Sequence, residues 1–180
     1  MKRLLPWALA LPAACLAVSL SAAQIERLDL DQMVAKTDNA VHGRIVATEV
    51  VRIDSPVDGP QNFFTHLTIE GVSLFDGQPT TVTVTFQGGF VSPENGVHNS
   101  EAPTADETRI GNEVVAFYKW TDNMGAGLAG NALYASHGGI YRVAGTRKGE
   151  VVLGKGDGYA IASNVRATDL RQQIAAKRVK

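Results

Sequence analysis

Apolar and polar residues alternate over long stretches of this chain, and alternation with a period of two is typical of a β-strand that is buried on one face. Residues 41–53 carry apolar side chains mainly at odd positions, so they predict a long strand with one buried face. The alternation breaks at Glu49, where we expect a β-bulge. Residues 63–75 predict a second long strand, and the change of apolar phase at Gly71 predicts a bulge there too.

Further segments with a β pattern follow these two strands. The cleanest alternation covers residues 81–86, and a turn at residues 76–79 joins them to the preceding strand as a hairpin. Residues 114–120 are apolar at odd and even positions alike, which predicts a strand covered on both faces. Two short strands are predicted at residues 140–143 and 150–153.

Helical patterns occur only near the ends of the chain. Residues 28–36 place apolar side chains on one side of a helix, and residues 169–177 predict a second helix with Thr168 as its cap. Long strands coil to hide their edges, and bulges help them to bend. We therefore expect a mainly β fold over residues 24–180: a single-domain, small OB-like barrel of five or six strands with short N- and C-terminal helices. An open β-sandwich is the alternative.

The N-terminal segment has the composition of a secretory signal peptide. A basic start precedes an apolar run at residues 4–20, and small residues follow it. We predict that residues 1–23 are a signal peptide cleaved after Ala23, and that the mature protein is secreted or periplasmic. An uncleaved membrane anchor is one alternative, although about 17 apolar residues are marginal for crossing ~30 Å of hydrocarbon. Attachment of a lipid to Cys15 is another.

The charge balance and the cysteine count narrow the range of partners. A formal net charge of −1 provides no excess of basic residues, so we expect neither nucleic acid nor an anionic membrane as a partner. Cys15 is the only cysteine, and it would leave with the signal peptide. Residues 154–158 read GKGDG, but no Ser or Thr follows Lys155, so we interpret them as a turn and not as a phosphate-binding loop. We expect no cofactor, no bound metal and no membrane span after removal of the signal peptide.

Five short motifs follow one another along most of the chain. They read DNAVHGRI (38–45), THLTIEGVSLFDG (65–77), VTVTFQGG (82–89), GNEVVAFY (111–118) and GGIYRV (138–143). In this order they resemble a loosely defined group of bacterial exported β-barrel proteins of unknown function. That group is similar in outline to OB-like netrin modules, which include tissue inhibitors of metalloproteinases, and the resemblance implies no catalytic residue. Those inhibitors chelate zinc through an N-terminal cysteine, whereas Gln24 is the predicted N-terminus here, so their mechanism does not carry over.

Two long polar segments, at residues 88–111 and 121–139, interrupt the β pattern. Loops longer than ~12–15 residues in a compact domain are usually functional or disordered, so we predict that these loops lie near each other and bind a partner. The candidate partner-binding residues are Phe90, Val91, His98, Met124, Leu128, Tyr134 and His137. We predict an exported, non-catalytic binding module that recognises an exported protein, such as a protease, or an envelope saccharide.

An exported hydrolase is the alternative function. Its acids would come from the loop carboxylates Glu101, Asp106 and Glu107, the residue type of glycoside chemistry. Ser136 and His137 are a conceivable nucleophile and base. However, no G-x-S-x-G elbow surrounds them, and the side chains of adjacent residues diverge.

The four histidines allow two metal-binding interpretations. His42 and His66 lie on the two long predicted strands, and they would approach each other if those strands pair. His98 and His137 lie in the two long loops, and they would form a joint site if the loops meet. Neither pair has i, i+4 helical spacing or an H-E-x-x-H motif, so the simpler interpretation is that they are histidines without a metal.

Overall fold

The structure of the protein is a computed structural model that describes residues 27–178. The predicted signal peptide, its cleavage site and Cys15 lie outside the described residues. In chain order the elements are α1 (Leu30–Lys36), β1 (Asn39–Ser55), β2 (Gly59–Ser73), β3 (Pro79–Gln87), β4 (Gly89–Ser92), β5 (Asn95–Val97), β6 (Glu113–Thr121), β7 (Gly130–Leu133), a 3₁₀ helix (Ser136–Gly139), β8 (Ile140–Thr146), β9 (Gly149–Val152), β10 (Val165–Arg166) and α2 (Ala167–Arg178).

Five of the strands close into a barrel. β1 pairs with β2, β2 with β3, β3 with β7, β7 with β6, and β6 again with β1. All of these pairs are antiparallel except β3–β7, which is parallel. Closure pairs the barrel strands on both sides, which removes the free edges that a flat sheet would expose. The predicted mainly β, OB-like barrel with short helices near both ends is confirmed, and the open β-sandwich is wrong.

The other strands lie outside this ring. β8, β9 and β10 continue the sheet outward from β6, and β4 and β5 form a separate hairpin. The sequence pattern predicts none of β4, β5, β7 and β10, although β7 closes the barrel. Each of these four strands has at most 4 residues, and so short a segment gives only a weak alternation signal.

The bulge in the first long strand lies elsewhere than predicted. The register of β1 against β2 shifts between Ile45 and Ala47, whereas Glu49 is regularly paired, so the predicted bulge at Glu49 is wrong. Residues 46–49 are all exposed. The alternation fails at Glu49 because neither face of this part of the strand is buried, whereas the residue inserted in the register is Val46.

The bulge predicted at Gly71 is also wrong. Gly71 is paired in register with Gly43 of β1, and a Cβ on Gly71 would lie 2.1 Å from the carbonyl oxygen of His42. Glycine is required because the two backbones approach closely at this point. The change of apolar phase has another cause: Ile69 contributes to the core inside the barrel, whereas Leu74 contributes to a second core outside it.

The molecule therefore has two cores. The barrel interior contains Val41, Ile45, Leu67, Ile69, Val82, Val84, Phe86, Val114, Ala116, Tyr118, Leu133 and Ile140. The outer core, between the barrel wall and the helices, contains Leu28, Met33, Val34, Ala40, Leu74, Val115, Phe117, Tyr141, Val152, Ile161, Leu170 and Ile174. Strand β6 contributes side chains to both cores. Val114 and Ala116 lie in the barrel interior, and Val115 and Phe117 lie in the outer core. The prediction of a strand covered on both faces is confirmed.

The two helices cover the outer core. α1 begins with a capping box, in which the Gln32 backbone N–H donates to the Asp29 carboxylate at 2.8 Å and the Asp29 N–H donates to the Gln32 side chain at 3.0 Å. α2 buries Leu170 and Ile174, and because it begins before Thr168, the predicted cap is wrong. No helix in the described part of the chain is both long and apolar enough to cross a membrane.

Candidate functional site

The two long loops meet at the end of strand β3. Gln87 is the last residue of β3, and its side-chain Nε2 donates a hydrogen bond to the carbonyl oxygen of Met124 at 2.8 Å. The side-chain Nδ2 of Asn99 donates to the carbonyl oxygen of Gln87 at 3.1 Å. Gln87 is therefore hydrogen-bonded to both loops. Its side chain bonds the second loop at Met124, and its backbone carbonyl oxygen bonds the first loop at Asn99.

A second junction joins the loops directly. The carbonyl oxygen of Glu101 accepts hydrogen bonds from Ser136 Oγ at 2.6 Å, from the His137 backbone N–H at 3.0 Å and from His137 Nδ1 at 2.9 Å. The first loop folds back over the barrel to make these contacts. The two loops therefore lie against each other, as predicted, although they leave opposite ends of strand β6.

The β4–β5 hairpin is held close to the barrel wall by two glycines. Gly88 and Gly89 have φ angles of 97° and 128°, a region that favours glycine. A Cβ on Gly89 would lie 2.4 Å from Thr65 Oγ1, and that hydroxyl donates to the Gly88 carbonyl oxygen at 2.7 Å. The base of the hairpin is therefore fixed against β2.

Two open clefts adjoin the junction between the loops. The loop cleft has a volume of about 440 Å³ and lies between the ends of β3, β6 and β7 and both loops. The hairpin groove has a volume of about 510 Å³ and lies between β2 and the segment that follows β5. Gln87, Asn99 and Glu101 line both, so the two clefts adjoin the same three residues.

Three of the predicted binding residues line these clefts, and two more stand on the β4–β5 hairpin. Met124 and Tyr134 line the loop cleft, and His98 is exposed in the hairpin groove. Phe90 and Val91 stand on the hairpin, with 49% and 52% of their surface exposed. The structure thus groups these residues on connected surfaces, and their role in binding stays a prediction.

Leu128 and His137 take part in hydrogen bonds within the fold, and a binding role for either stays a prediction. The carbonyl oxygen of Leu128 accepts from the Met124 N–H at 2.7 Å and closes a tight turn. His137 Nε2 lies 3.0 Å from the Tyr159 hydroxyl, while its Nδ1 contacts the first loop. Both ring nitrogens are therefore engaged, and a joint metal site with His98 is wrong. Because the Ser136 hydroxyl donates to the first loop as well, Ser136 and His137 do not form a nucleophile–base pair.

Trp120 is a surface residue that the sequence analysis missed. It lines the loop cleft with 54% of its surface exposed, and its Nε1 donates to the Asp122 carboxylate at 3.0 Å. Its backbone N–H donates to the Asp38 carboxylate at 2.7 Å. The pattern of residues 114–120 gives no sign of this exposure, because a tryptophan at the end of an apolar strand is predicted to be a core residue.

Two of the three loop carboxylates proposed as hydrolase acids, Asp106 and Glu107, are tied to cations, whereas Glu101 contributes its backbone carbonyl oxygen to the loop junction. Asp106 forms salt bridges with two arginines, at 2.6 and 2.7 Å. Glu107 is paired with Lys155 and accepts from the Thr104 backbone N–H at 2.8 Å. Burial acts to raise the pKa of Glu107, but the hydrogen bonds from Lys155 and Thr104 outweigh it and hold the pKa below the ordinary value of 4.5. A carboxyl group held ionised is a poor general acid, so Glu107 gives the hydrolase alternative no support.

Lys155 is the second residue that the sequence analysis missed. Its Nζ is paired with Glu107, donates to the carbonyl oxygen of His137 at 2.5 Å and lies 5.6 Å from the centre of the Tyr141 ring. The Lys155 and Glu107 side chains are each only 17% exposed. The predicted turn at residues 154–158 therefore supplies the cation that fixes the first loop, and a single lysine in a glycine-rich turn gives no signal of that role.

β1 and β2 pair, but they do not bring His42 and His66 together. His42 lies opposite Val72, whereas His66 lies opposite Glu49, about seven residues or about 23 Å away along β1. The joint metal site of these two histidines is therefore wrong. His66 Nδ1 instead lies 2.7 Å from Thr85 Oγ1.

His42 has two carboxylates beside it. Its ring nitrogen and one carboxylate oxygen each of Glu113 and Glu150 lie within 4.8 Å of one another. Within residues 27–178 this is the only cluster of three or more side chains with the geometry to hold a metal ion. None of the three lines the loop cleft or the hairpin groove.

The chain matches no family model, no curated protein and no solved structure. The resemblance to exported OB-like netrin modules therefore stays a prediction, and no residue role comes to this chain from a relative. Small barrels serve many unrelated functions, so the fold alone assigns none.

Proposed function

We propose that this protein is exported and acts as a non-catalytic binding module, with the loop cleft and the hairpin groove as its partner surface. One observation carries the proposal: two loops separated by a strand are hydrogen-bonded to each other and to Gln87 around two adjoining open clefts. Long loops held by a rigid scaffold are the usual location of binding sites.

The location of this surface on the barrel supports the proposal by analogy. OB-type barrels bind ligands on the face of their second and third strands and through the loops beside that face. The hairpin groove includes Asn62 of β2, and the loop cleft includes Thr85 of β3. The Ala126 N–H donates to the Asp58 carboxylate at 2.8 Å, which joins the β1–β2 turn to the second loop. The analogy concerns location and not the ligand.

The side chains around Trp120 favour an envelope saccharide as the partner. The hydrogen bond to Asp122 holds the half-exposed Trp120 ring in one orientation. A recess of about 320 Å³ beside the ring is lined by hydroxyl and amide groups of Thr81, Thr83 and Asn131. A fixed aromatic face beside such groups packs against the apolar face of a sugar and bonds its hydroxyls with little loss of side-chain entropy.

An exported protein is the second candidate, and the hairpin favours it. Phe90, Val91 and Val97 are 49%, 52% and 45% exposed on a two-stranded hairpin outside the barrel. Exposed apolar side chains gathered in this way are typical of a protein interface. The two candidates therefore use different parts of the surface, and point variants separate them.

The test uses Trp120→Ala for the loop cleft and Phe90→Ser for the hairpin. Ile110→Ala is the matched control, because Ile110 is 59% exposed and lines neither cleft. Retention of the purified protein is measured on isolated envelope polysaccharide and, separately, on immobilised envelope proteins. We expect Trp120→Ala to weaken polysaccharide binding at least about tenfold, or ~1.4 kcal/mol, and Ile110→Ala to leave it unchanged.

The other outcomes decide between the candidates. If Phe90→Ser alone lowers retention on envelope proteins, the partner is a protein and the saccharide assignment is withdrawn. If neither fraction retains the wild-type protein, or if both variants behave as the control does, the binding proposal itself is wrong. Circular dichroism of each variant first establishes that the barrel is folded.

Export has a test of its own. Intact-mass measurement of protein recovered outside the cytoplasm is expected to give a chain that begins at Gln24, with or without cyclisation of that residue. A mass that includes a lipid on Cys15 would contradict both the cleavage after Ala23 and the absence of a membrane anchor. Recovery of an uncleaved chain in the cytoplasm alone would contradict export.

A further inference from the structure

His42 presents a buried ring nitrogen without a hydrogen bond. It lies on β1, its side chain is 11% exposed, and its Nε2 is the buried side-chain atom that lacks a hydrogen-bond partner among the described residues. Buried polar atoms are nearly always hydrogen-bonded, so an imidazole nitrogen without a hydrogen bond calls for an explanation such as an ion.

The sheet register brings two carboxylates to this nitrogen. His42 pairs with Val115 of β6, so Glu113, two residues along, projects from the same face. Glu113 Oε1 lies 3.3 Å from His42 Nε2, and Glu150 Oε2, from β9, lies 3.9 Å from it. Glu150 is paired with Gly145, whose missing side chain leaves open space on β8.

We propose that His42, Glu113 and Glu150 bind a divalent first-row cation of the Zn²⁺ type, a function separate from the proposed partner surface. One imidazole and two carboxylates are usual ligands of such an ion. Bonds of ~2.0–2.1 Å to a tetrahedral ion place neighbouring ligand atoms about 3.3 Å apart. The His42–Glu113 distance already meets this requirement. Glu150 lies 3.9 Å from His42 and has to move about 0.6 Å closer, which its 48% exposed side chain has room to do.

The chemistry of the surroundings fits a bound cation. Glu113 and Glu150 are 33% and 48% exposed, so the ion has a path from solvent and a position left for water. Arg44 lies opposite Glu113 in the register, and its guanidinium donates to the Gly111 carbonyl oxygen at 3.3 Å. The competing explanation of the cluster is an ion pair between a protonated His42 and Glu113 with no metal.

The test uses the purified protein without an affinity tag and Zn²⁺ as the probe, in competition with a chromophoric chelator. We expect one Zn²⁺ to bind per chain and His42→Gln, Glu113→Gln and Glu150→Gln each to weaken it at least about tenfold. His66→Gln is the matched control, because His66 also lies on a barrel strand but its ring contacts Thr85. A second readout is the melting temperature, which Zn²⁺ should raise in the wild type and in the control alone.

Several results would overturn the proposal. They are the absence of Zn²⁺ binding, affinities of the three variants within about twofold of the wild type, or an equal loss in His66→Gln. Should His42→Gln fail to fold, the two partly exposed glutamate variants carry the test. Retention of the metal-chelated protein on the envelope fractions is measured in parallel. A failure of the metal site is thereby distinguished from a failure of the proposed partner surface.

Discussion

The barrel wall and the two long loops are held in place by different forces. The barrel strands bury apolar side chains on one or both faces, and each such side chain contributes many weak contacts. The loops depend on a few polar junctions: Gln87, the Glu101 carbonyl oxygen, and the pair of Glu107 with Lys155. Each of these junctions consists of a few hydrogen bonds or one ion pair, so it depends on only one or two atoms of the residues named. A single substitution is therefore able to loosen the proposed partner surface while the barrel stays folded.

The largest effect is expected in the core beneath the helices. Phe117→Ala removes a ring that is 0% exposed in the outer core, and it should lower the free energy of unfolding by ~3–5 kcal/mol. Urea denaturation measures the change. Phe90→Ala is the control on the loop side, and its half-exposed ring should cost below about 1 kcal/mol. A loss below about 1 kcal/mol for Phe117→Ala would mean that this core contributes less than its burial indicates.

The second effect concerns the most buried polar junction. Lys155→Met leaves the Glu107 carboxylate without its cation, and it should lower the free energy of unfolding by about 3 kcal/mol. The double variant Lys155→Met/Glu107→Gln should recover part of this loss, because the remaining charge is then removed as well. A double-mutant cycle measured by urea denaturation gives the coupling. If the losses of the two single variants add up to the loss of the double variant, Lys155 and Glu107 are not coupled and this junction does not stabilise the loop.

The same junction makes a smaller, pH-dependent contribution. The pKa of Glu107 is lowered in the folded protein, so its stabilisation is fully present above the ordinary pKa of 4.5 and is lost as the pH falls through the lower folded value. The stability difference between the wild type and Glu107→Gln should therefore shrink as the pH is lowered from about 6 to about 3. Urea denaturation across that range measures it, and a difference that grows toward acid pH would reverse the expected sign.

The smallest effect is expected where barrel and loops meet. Gln87→Ala removes the side-chain hydrogen bond to Met124, at a cost of about 1 kcal/mol. Hydrogen exchange should accelerate in residues 121–129 and remain unchanged in β1 and β2. Gln78→Ala is the control, because only the backbone of Gln78 is hydrogen-bonded there. Uniform acceleration over the whole barrel would mean that loops and barrel open together.

Much of the barrel was predictable because its pattern is local. The alternation in residues 81–86 and the apolar faces of residues 114–120 correspond to β3 and to β6, which carries both cores. The bulges at Glu49 and Gly71 were mispredicted because a broken pattern also arises where burial ends or where a second core begins. The strands β7 and β10 were missed because 4 and 2 residues carry too little periodicity.

The site depended on pairings that no short window of sequence contains. The sequence by itself determined that the two loops are long and carry apolar side chains, and it placed His42 on a strand. Only the tertiary structure decided that Gln87 joins both loops and that Lys155 holds Glu107. The register of β1 on β6 and of β9 on β8 likewise selected the partners of His42. Such a register is set by burial and hydrogen bonding along whole strands, so no short segment of sequence determines it.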